Sequence, residues 1–393
     1  MSDEVSPGGD IFVINAIGGE ARNVTPSLPG SASWLTWTSP TEVLFTQNTK
    51  GAVAISHVNT RNGKVGRLWS GTDFINSSMW TASIAVANDG LTSAAVVSSF
   101  TQPPEVNAGP IGAWKAITAV NKSVQPMWGR AESVSWKSDQ YDVQGWLVFP
   151  LHYDSVKKYP LVVEVHGGPA SVVTTAWPKH FYQPILLSQE GFFVFFPNPR
   201  GSYGQGEQFT QANVKDFGYG DLRDILRGVD TIVQQYQIAP DRLGVTGWSY
   251  GGFMSMWAVT QTNRFAAAVA GAGIMNWQSY YGENEIDQWM IPYFGASVYD
   301  DPAVYARSSP ITFIKNAKTP TLVVVGQFDA ECPAPQSFEF WHALKTMNVP
   351  TSLIVYEGEG HQFQNPTHRL DANLRMINWF KKFLHPAVEM KSQ

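Results

Sequence analysis

Gly247-Trp248-Ser249-Tyr250-Gly251-Gly252 lies between a strand-like run, Arg242 to Thr246, and a helix-like run, Phe253 to Thr260. A serine hydroxyl is a poor nucleophile until a base takes its proton and the backbone presents its oxygen on a tight strand-to-helix turn, where flanking glycines relieve the crowding. In a chain with 34 glycines the bare Gly-x-Ser-x-Gly spacing can arise by chance. The strand before it and the helix after it give it weight. Ser249 is the candidate nucleophile.

A serine nucleophile in this setting predicts an acid and then a histidine further along, each just after a strand. Thr321 to Val325 is a β-branched apolar run followed by Gly326-Gln327-Phe328-Asp329, which puts a carboxylate at a strand's C-terminal end. Leu353 to Tyr356 leads into Glu357-Gly358-Glu359-Gly360-His361, whose glycines let a loop carry the imidazole back over the sheet. Asp329 and His361 are therefore the candidate acid and base. The order Ser, Asp, His is that of α/β-hydrolases rather than of the chymotrypsin or subtilisin arrangements. Of the other histidines, His57, His152, His166 and His180 precede the serine. His342 falls in the helix-like Ser337 to Met347, and His368 and His385 flank the terminal helical segment. Each reads as a surface or packing residue. Glu357 and Glu359 are alternative acids, but so close to His361 in sequence they would orient it less rigidly.

Acyl transfer also needs donors for the developing oxyanion, usually from the residue after the nucleophile and from an earlier strand-to-helix loop. Leu161 to Val165 reads as a buried strand ending in His166-Gly167-Gly168-Pro169. Its glycines permit backbone that a side chain would hinder. The N–H groups of Tyr250 and Gly168 are the expected oxyanion hole, and His166 is expected to shape the loop.

His-Gly-Gly-Pro, Asn198-Pro199-Arg200-Gly201-Ser202, the serine motif, Gly326-x-x-Asp329-x-x-Cys332-Pro333 and Gly358-x-Gly360-His361, in this order, resemble the prolyl oligopeptidase family. The likeness covers about Val143 to Leu384 and looks closest to the acylaminoacyl-peptidase and dipeptidyl-peptidase branches. It implies a serine peptidase that needs no cofactor or metal, cleaves short peptides through an acyl-enzyme in exopeptidase fashion, and screens its site with a β-propeller. One departure bears on specificity. Acylaminoacyl and prolyl members often carry an arginine two residues after the catalytic aspartate, where it contacts a substrate carbonyl, and here that position is Glu331. An ionised carboxylate cannot donate that bond, but it can attract a free amino group or a basic side chain. A solvated loop glutamate is the other reading.

With 393 residues the chain has room for two domains, each able to bury a core. A net charge of −5 with no basic stripe argues against nucleic acid as a partner. Cys332 is the only cysteine, so no intrachain disulfide forms and the compartment stays open. Beside a serine nucleophile it reads as a small packing residue. No apolar run suggests a membrane span, and Met1 to Asp10 has no secretory pattern.

Residues 1–127 read as all-β, with short strands at Ile11 to Asn15, Glu42 to Gln47, Ala52 to Val58 and Thr92 to Ser98. A propeller blade takes roughly 40 to 50 residues, so this region holds about three blades or fewer. Either the chain is an N-terminally truncated family member or it is a reduced form whose open edges another subunit covers. Open edges invite pairing, so a homo-oligomer or poor solubility is the expected consequence. Residues 128–142 read as a linker and 143–393 as the α/β-hydrolase domain, which opens with the strand-like Val143 to Phe149 and in which six later strand-like runs, four of them named above, alternate with helical stretches. Between Gly273 and Pro310 lies an aromatic-rich stretch, which either lines an acyl pocket or caps the sheet. Trp277, Tyr280 and Tyr281 from it, with Trp248 and Glu331, are the candidate substrate-binding residues. The remaining functional readings are a broad carboxylesterase, because the same site cleaves esters, and a propeller-type binding protein with an inert hydrolase domain.

Overall fold

The computed structural model describes residues 9–77, 81–178 and 181–385; residues 1–8 and His180 lie outside them. The N-terminal part is built of antiparallel sheets. Ser31–Ser39, Glu42–Thr49, Ala52–Asn59 and Val65–Gly71 run as a four-stranded meander. The two-residue period of a strand splits its apolar side chains between two faces. Leu44, Val53 and Ile55 pack with Phe74, Ile75, Ala95 and Val97 of the next sheet, whereas Val43, Phe45 and Val58 pack with Ile11, Val24 and Leu28. The two central strands of the meander are thus buried on both faces, as in a blade between neighbouring blades, while the outer strands stay largely exposed. The following sheet joins Phe74–Asn76, Thr92–Ser98, Glu105–Pro110 and Lys115–Ala116, and the preceding one is the small pair Phe12–Val13 and Arg22–Asn23. Ile11 to Asn15 therefore contracts to two paired residues.

The C-terminal part has the expected α/β-hydrolase architecture. Its eight strands are β1 Ala131–Ser138, β2 Tyr141–Val148, β3 Tyr159–Val165, β4 Phe193–Asn198, β5 Ile238–Trp248, β6 Ala267–Gly271, β7 Thr321–Gly326 and β8 Thr351–Tyr356. They lie in the order β1-β2-β4-β3-β5-β6-β7-β8, and the β1–β2 and β2–β4 pairs are antiparallel while every other pair is parallel. The stretch read as a linker supplies β1. Val134 and Trp136 point inward, and the Trp136 indole N–H donates to the Asp224 carbonyl at 2.8 Å. Ser133, Ser135 and Lys137 form the solvent face of β1, and Glu132 and Ser138 break the apolar row of its inner face, which hides the alternation in the sequence.

Five helices bear on the site: α1 Gly220–Gln235, α2 Tyr250–Gln261, α3 Trp277–Glu283, α4 Ala334–Thr346 and α5 Pro366–Leu384. In α1, Leu222, Ile225, Val229 and Ile232 form the buried stripe of an amphipathic helix. Helix α2 has no solvent face, and Tyr250 to Thr260 are all buried. The two parts of the chain meet along the loops that follow β3 and β4 and at the segment that leads into β1. Trp177 N–H donates to Ser98 Oγ at 3.3 Å, Gly204 N–H to Ser31 Oγ at 2.8 Å, and the Trp128 indole to the Phe100 carbonyl at 2.7 Å. No helix among the described residues is long and apolar enough to cross a membrane.

Candidate active site

Ser249 sits at the turn between β5 and α2 with φ 63° and ψ −123°. A β-substituted residue is rarely found there and is held only by a rigid frame. The frame comes from Gly247, Gly251 and Gly252. A methyl group on Gly247 or Gly251 would overlap the Val165 carbonyl oxygen, and one on Gly252 the Gly271 carbonyl oxygen. Glycine at these positions lets α2 begin directly on β3 and β6, and the Ser249 N–H donates to the Gly271 carbonyl at 3.0 Å.

Asp329 follows β7 with a fully buried side chain. Its Oδ1 accepts the N–H groups of Glu331 at 3.0 Å and Cys332 at 2.7 Å, which fixes the carboxylate. His361 Nδ1 approaches its two oxygens at 2.8 and 3.0 Å. Burial opposes the imidazolium, but the hydrogen bond and charge of Asp329, joined by the charge of Glu331, outweigh it and hold the His361 pKa above its ordinary value. The alternative acids are otherwise engaged or remote. Glu359 accepts from the backbone of Gln364 and Asn365 at 2.6 and 2.9 Å and pairs with His368 at 2.9 Å, shaping the loop that carries His361, while Glu357 is exposed.

Ser249 and His361 face one cavity of 580 Å³, also lined by Gly167, Gly168, Trp248 and Glu331. Among the described residues no hydrogen bond yet joins the two. Ser249 Oγ lies 3.9 Å from Cys332 Sγ, and His361 Nε2 lies 3.6 Å from Glu331 Oε2. Such catalytic bonds are often long without substrate and tighten in the complex. Burial pushes the Cys332 thiol well up, so it packs beside the serine as an inert neighbour.

Gly168, with φ 124°, and Tyr250, the first residue of α2, line a second cavity of 180 Å³ together with Ser249. The first N–H groups of a helix have no partner inside it, so Tyr250 N–H is available to an oxyanion. Its phenol is anchored on the far side by donating to Asp221, whose carboxyl is pushed up to about 7, chiefly by burial. The His-Gly-Gly-Pro loop is fixed by His166, which bonds the Gly167 carbonyl at 2.7 Å and Ser202 Oγ at 2.9 Å. Ser202 in turn belongs to the loop that Arg200 locks with bonds of 2.6 and 2.9 Å to Asp224 and 2.8 Å to Asp139.

The 180 Å³ cavity takes its walls from Ile274, Trp277, Tyr280, Ile286, Trp289, Glu331 and Cys332. Trp277, Tyr280 and Glu331 thus line the same cavity as the serine. Tyr281 does not. It lies about 100° further round α3 than Tyr280, with its ring against Tyr299 and Tyr305. Trp248 lines the larger cavity and also has a positioning role, its indole N–H donating to the His361 carbonyl at 3.0 Å. Asp221 and Ser202 escape sequence reasoning because neither shares a motif with the residue it holds. Among the described residues no group of three or more His, Cys, Asp or Glu is placed to hold a metal ion.

The prolyl oligopeptidase family model matches residues 178–387, just over half of the chain. An uncharacterised peptidase, YuxL, of Bacillus subtilis is 34% identical over 250 residues, covering 62% of this chain and 37% of its own length. Dipeptidyl-peptidase 5 of Porphyromonas gingivalis is 27% identical over 387 residues, covering 95% of this chain and 55% of its own. The chain therefore spans about half or less of the curated relatives it matches. The acylaminoacyl peptidase of Pyrococcus horikoshii superposes with a TM-score of 0.85 at 24% identity, over 100% of this chain and 61% of that one, which establishes the shared fold.

Proposed function

The chain belongs to the prolyl oligopeptidase family, and from that premise we propose that it is a serine peptidase that cleaves short peptides in exopeptidase fashion through an acyl-enzyme. The observation that carries the reading is the strained Ser249 facing the same cavity as a His361 already paired with a buried Asp329. In this mechanism Ser249 Oγ attacks the scissile carbonyl while His361 Nε2 takes its proton. The N–H groups of Tyr250 and Gly168 receive the developing negative charge. His361 then protonates the leaving amine, which departs and leaves the acyl group on Ser249. Water, activated by the same imidazole, releases the acid. Asp329 holds the tautomer with the proton on Nδ1 and stabilises the imidazolium. The reading includes a division of labour, with residues 143–393 as the catalytic domain and residues up to about 127 as a filter over its mouth. It also includes a homo-oligomer through the β-region, where Leu35, Trp37 and Leu68 are half-exposed on the outer strands of the meander. Light scattering would test it, a monomer at all concentrations removing that part.

Glu331 is proposed to select substrates with a free amino group or a basic residue near the scissile bond. It is half-exposed and borders both cavities, beside Ser249 in each. Glu331→Gln should lower kcat/KM for a free-amine peptide anilide by about 10-fold, the weight of one charge-assisted hydrogen bond, and change the N-acetylated counterpart little. Equal losses on both would return Glu331 to a solvated loop residue. The same variant bears on pH. The base acts only when neutral, so a raised His361 pKa makes activity fall, as pH drops, from above the ordinary histidine value of about 6.5. Removing the Glu331 charge should move that acid limb to lower pH. A limb that stays in place would mean that Glu331 does not act on the imidazole.

A further inference from the structure

We propose that a second chamber, reached from Ser249 past Glu164, is a leaving-group subsite that takes the basic side chain of a lysine or arginine, with Glu164 as its counter-charge. The proposal rests on the peptidase reading above. Glu164 is the penultimate residue of β3, and the pleat points it away from the side taken by the fully buried Val163 and Val165. It borders two cavities at once. One is the 580 Å³ cavity of Ser249 and His361, and the other is a chamber of 230 Å³ that also shares Val172 and Tyr182 with the first. The two spaces therefore meet at Glu164.

Two features of the chamber point to a cation. Phe100, Trp177, Tyr182 and Phe196 contribute aromatic walls, and Glu164 is the one charged side chain among the described residues that line it. Aromatic faces with a carboxylate at one end suit a long methylene stem carrying a positive head. In addition, Glu164 has no hydrogen bond or ion pair among the described residues, and burial alone pushes its carboxyl up to about 7. An apolar residue there would serve packing better, since an ionisable group buried without a partner is costly. The missing partner is a positive charge, and an incoming side chain can supply it.

The direction of the chain follows from the chemistry. The acyl residue must lie where both oxyanion donors and the serine meet, in the 180 Å³ cavity. The leaving amine must lie beside His361, which protonates it, and His361 lines only the cavity that leads on to Glu164. Glu331 and Glu164 thus read charges on opposite sides of the scissile bond.

The test uses internally quenched peptides with one common acyl part and arginine, lysine or norleucine as the first leaving-group residue, with a p-nitrophenyl ester of the same acyl part alongside. In the wild type kcat/KM for arginine or lysine should exceed that for norleucine by about 10-fold, as expected of a charge-assisted contact. In Glu164→Gln that ratio should collapse to within about 2-fold on the same grounds. A flat wild-type profile overturns the inference without any variant, and so does a ratio that survives in Glu164→Gln. If the peptides are cleaved with a flat profile, the peptidase reading stands and only this subsite falls. Turnover of the ester with no cleavage of any peptide overturns both.

Discussion

Ser249→Ala is expected to lower kcat on an activated ester by about 10⁴- to 10⁶-fold while leaving the fold intact, as in other triads whose members act as a unit. The fold should survive because, among the described residues, the hydroxyl's one polar contact is the weak 3.9 Å approach to Cys332 Sγ. His361→Ala should fall to a similar residual rate, and the double variant little further, since an unactivated serine and an absent one are nearly equivalent to the substrate. Purified variants compared by circular dichroism and by turnover decide this. A tenth or more of wild-type kcat in either single variant would remove that residue from the mechanism.

Gly251→Ala should destabilise the protein by about 3 kcal/mol or more, although the same change in an ordinary helix gains about 1 kcal/mol from propensity. The sign reverses because the new methyl would overlap the Val165 carbonyl oxygen and stand 2.9 Å from its carbon. Backbone cannot yield by changing rotamer, so α2 must move off β3. Ser249 caps α2, and a shift of about 1 Å there is enough to cost about 100-fold in rate. Urea denaturation of the two proteins gives the stability difference. Equal or greater stability in the variant would show that the approach of α2 to β3 is looser than described.

The sequence made the sheet legible because most of its inner strands are apolar runs buried on both faces and an amphipathic helix such as α1 carries the 3.6-residue period. Thr321 to Val325 and the α1 stripe of Leu222, Ile225, Val229 and Ile232 are examples. Ser249, Asp329 and His361 could be picked out for the same reason, since each follows a recognisable strand. What stayed hidden depends on contacts between distant segments. Strand β1 reads as linker until Trp136 is seen against α1, and Ser31–Ser39 is rich in serine and threonine and only partly buried. Tyr281 could not be separated from Tyr280 without knowing which side of α3 faces the serine. Glu164 reads as one polar interruption of a buried strand, and only the two cavities that meet at it give it a meaning. Arg200 and Asp224, 24 residues apart, likewise become a pair only once β4 and α1 are packed together.

The central claim, that Ser249 is the nucleophile of an acyl-enzyme, is tested most directly by reaction with a fluorophosphonate probe followed by peptide mass spectrometry. The account predicts one adduct, on the peptide containing Ser249, formed in step with loss of ester turnover and absent from His361→Ala, where the hydroxyl has no base. An adduct on another residue, or full turnover after stoichiometric labelling of Ser249, would contradict it.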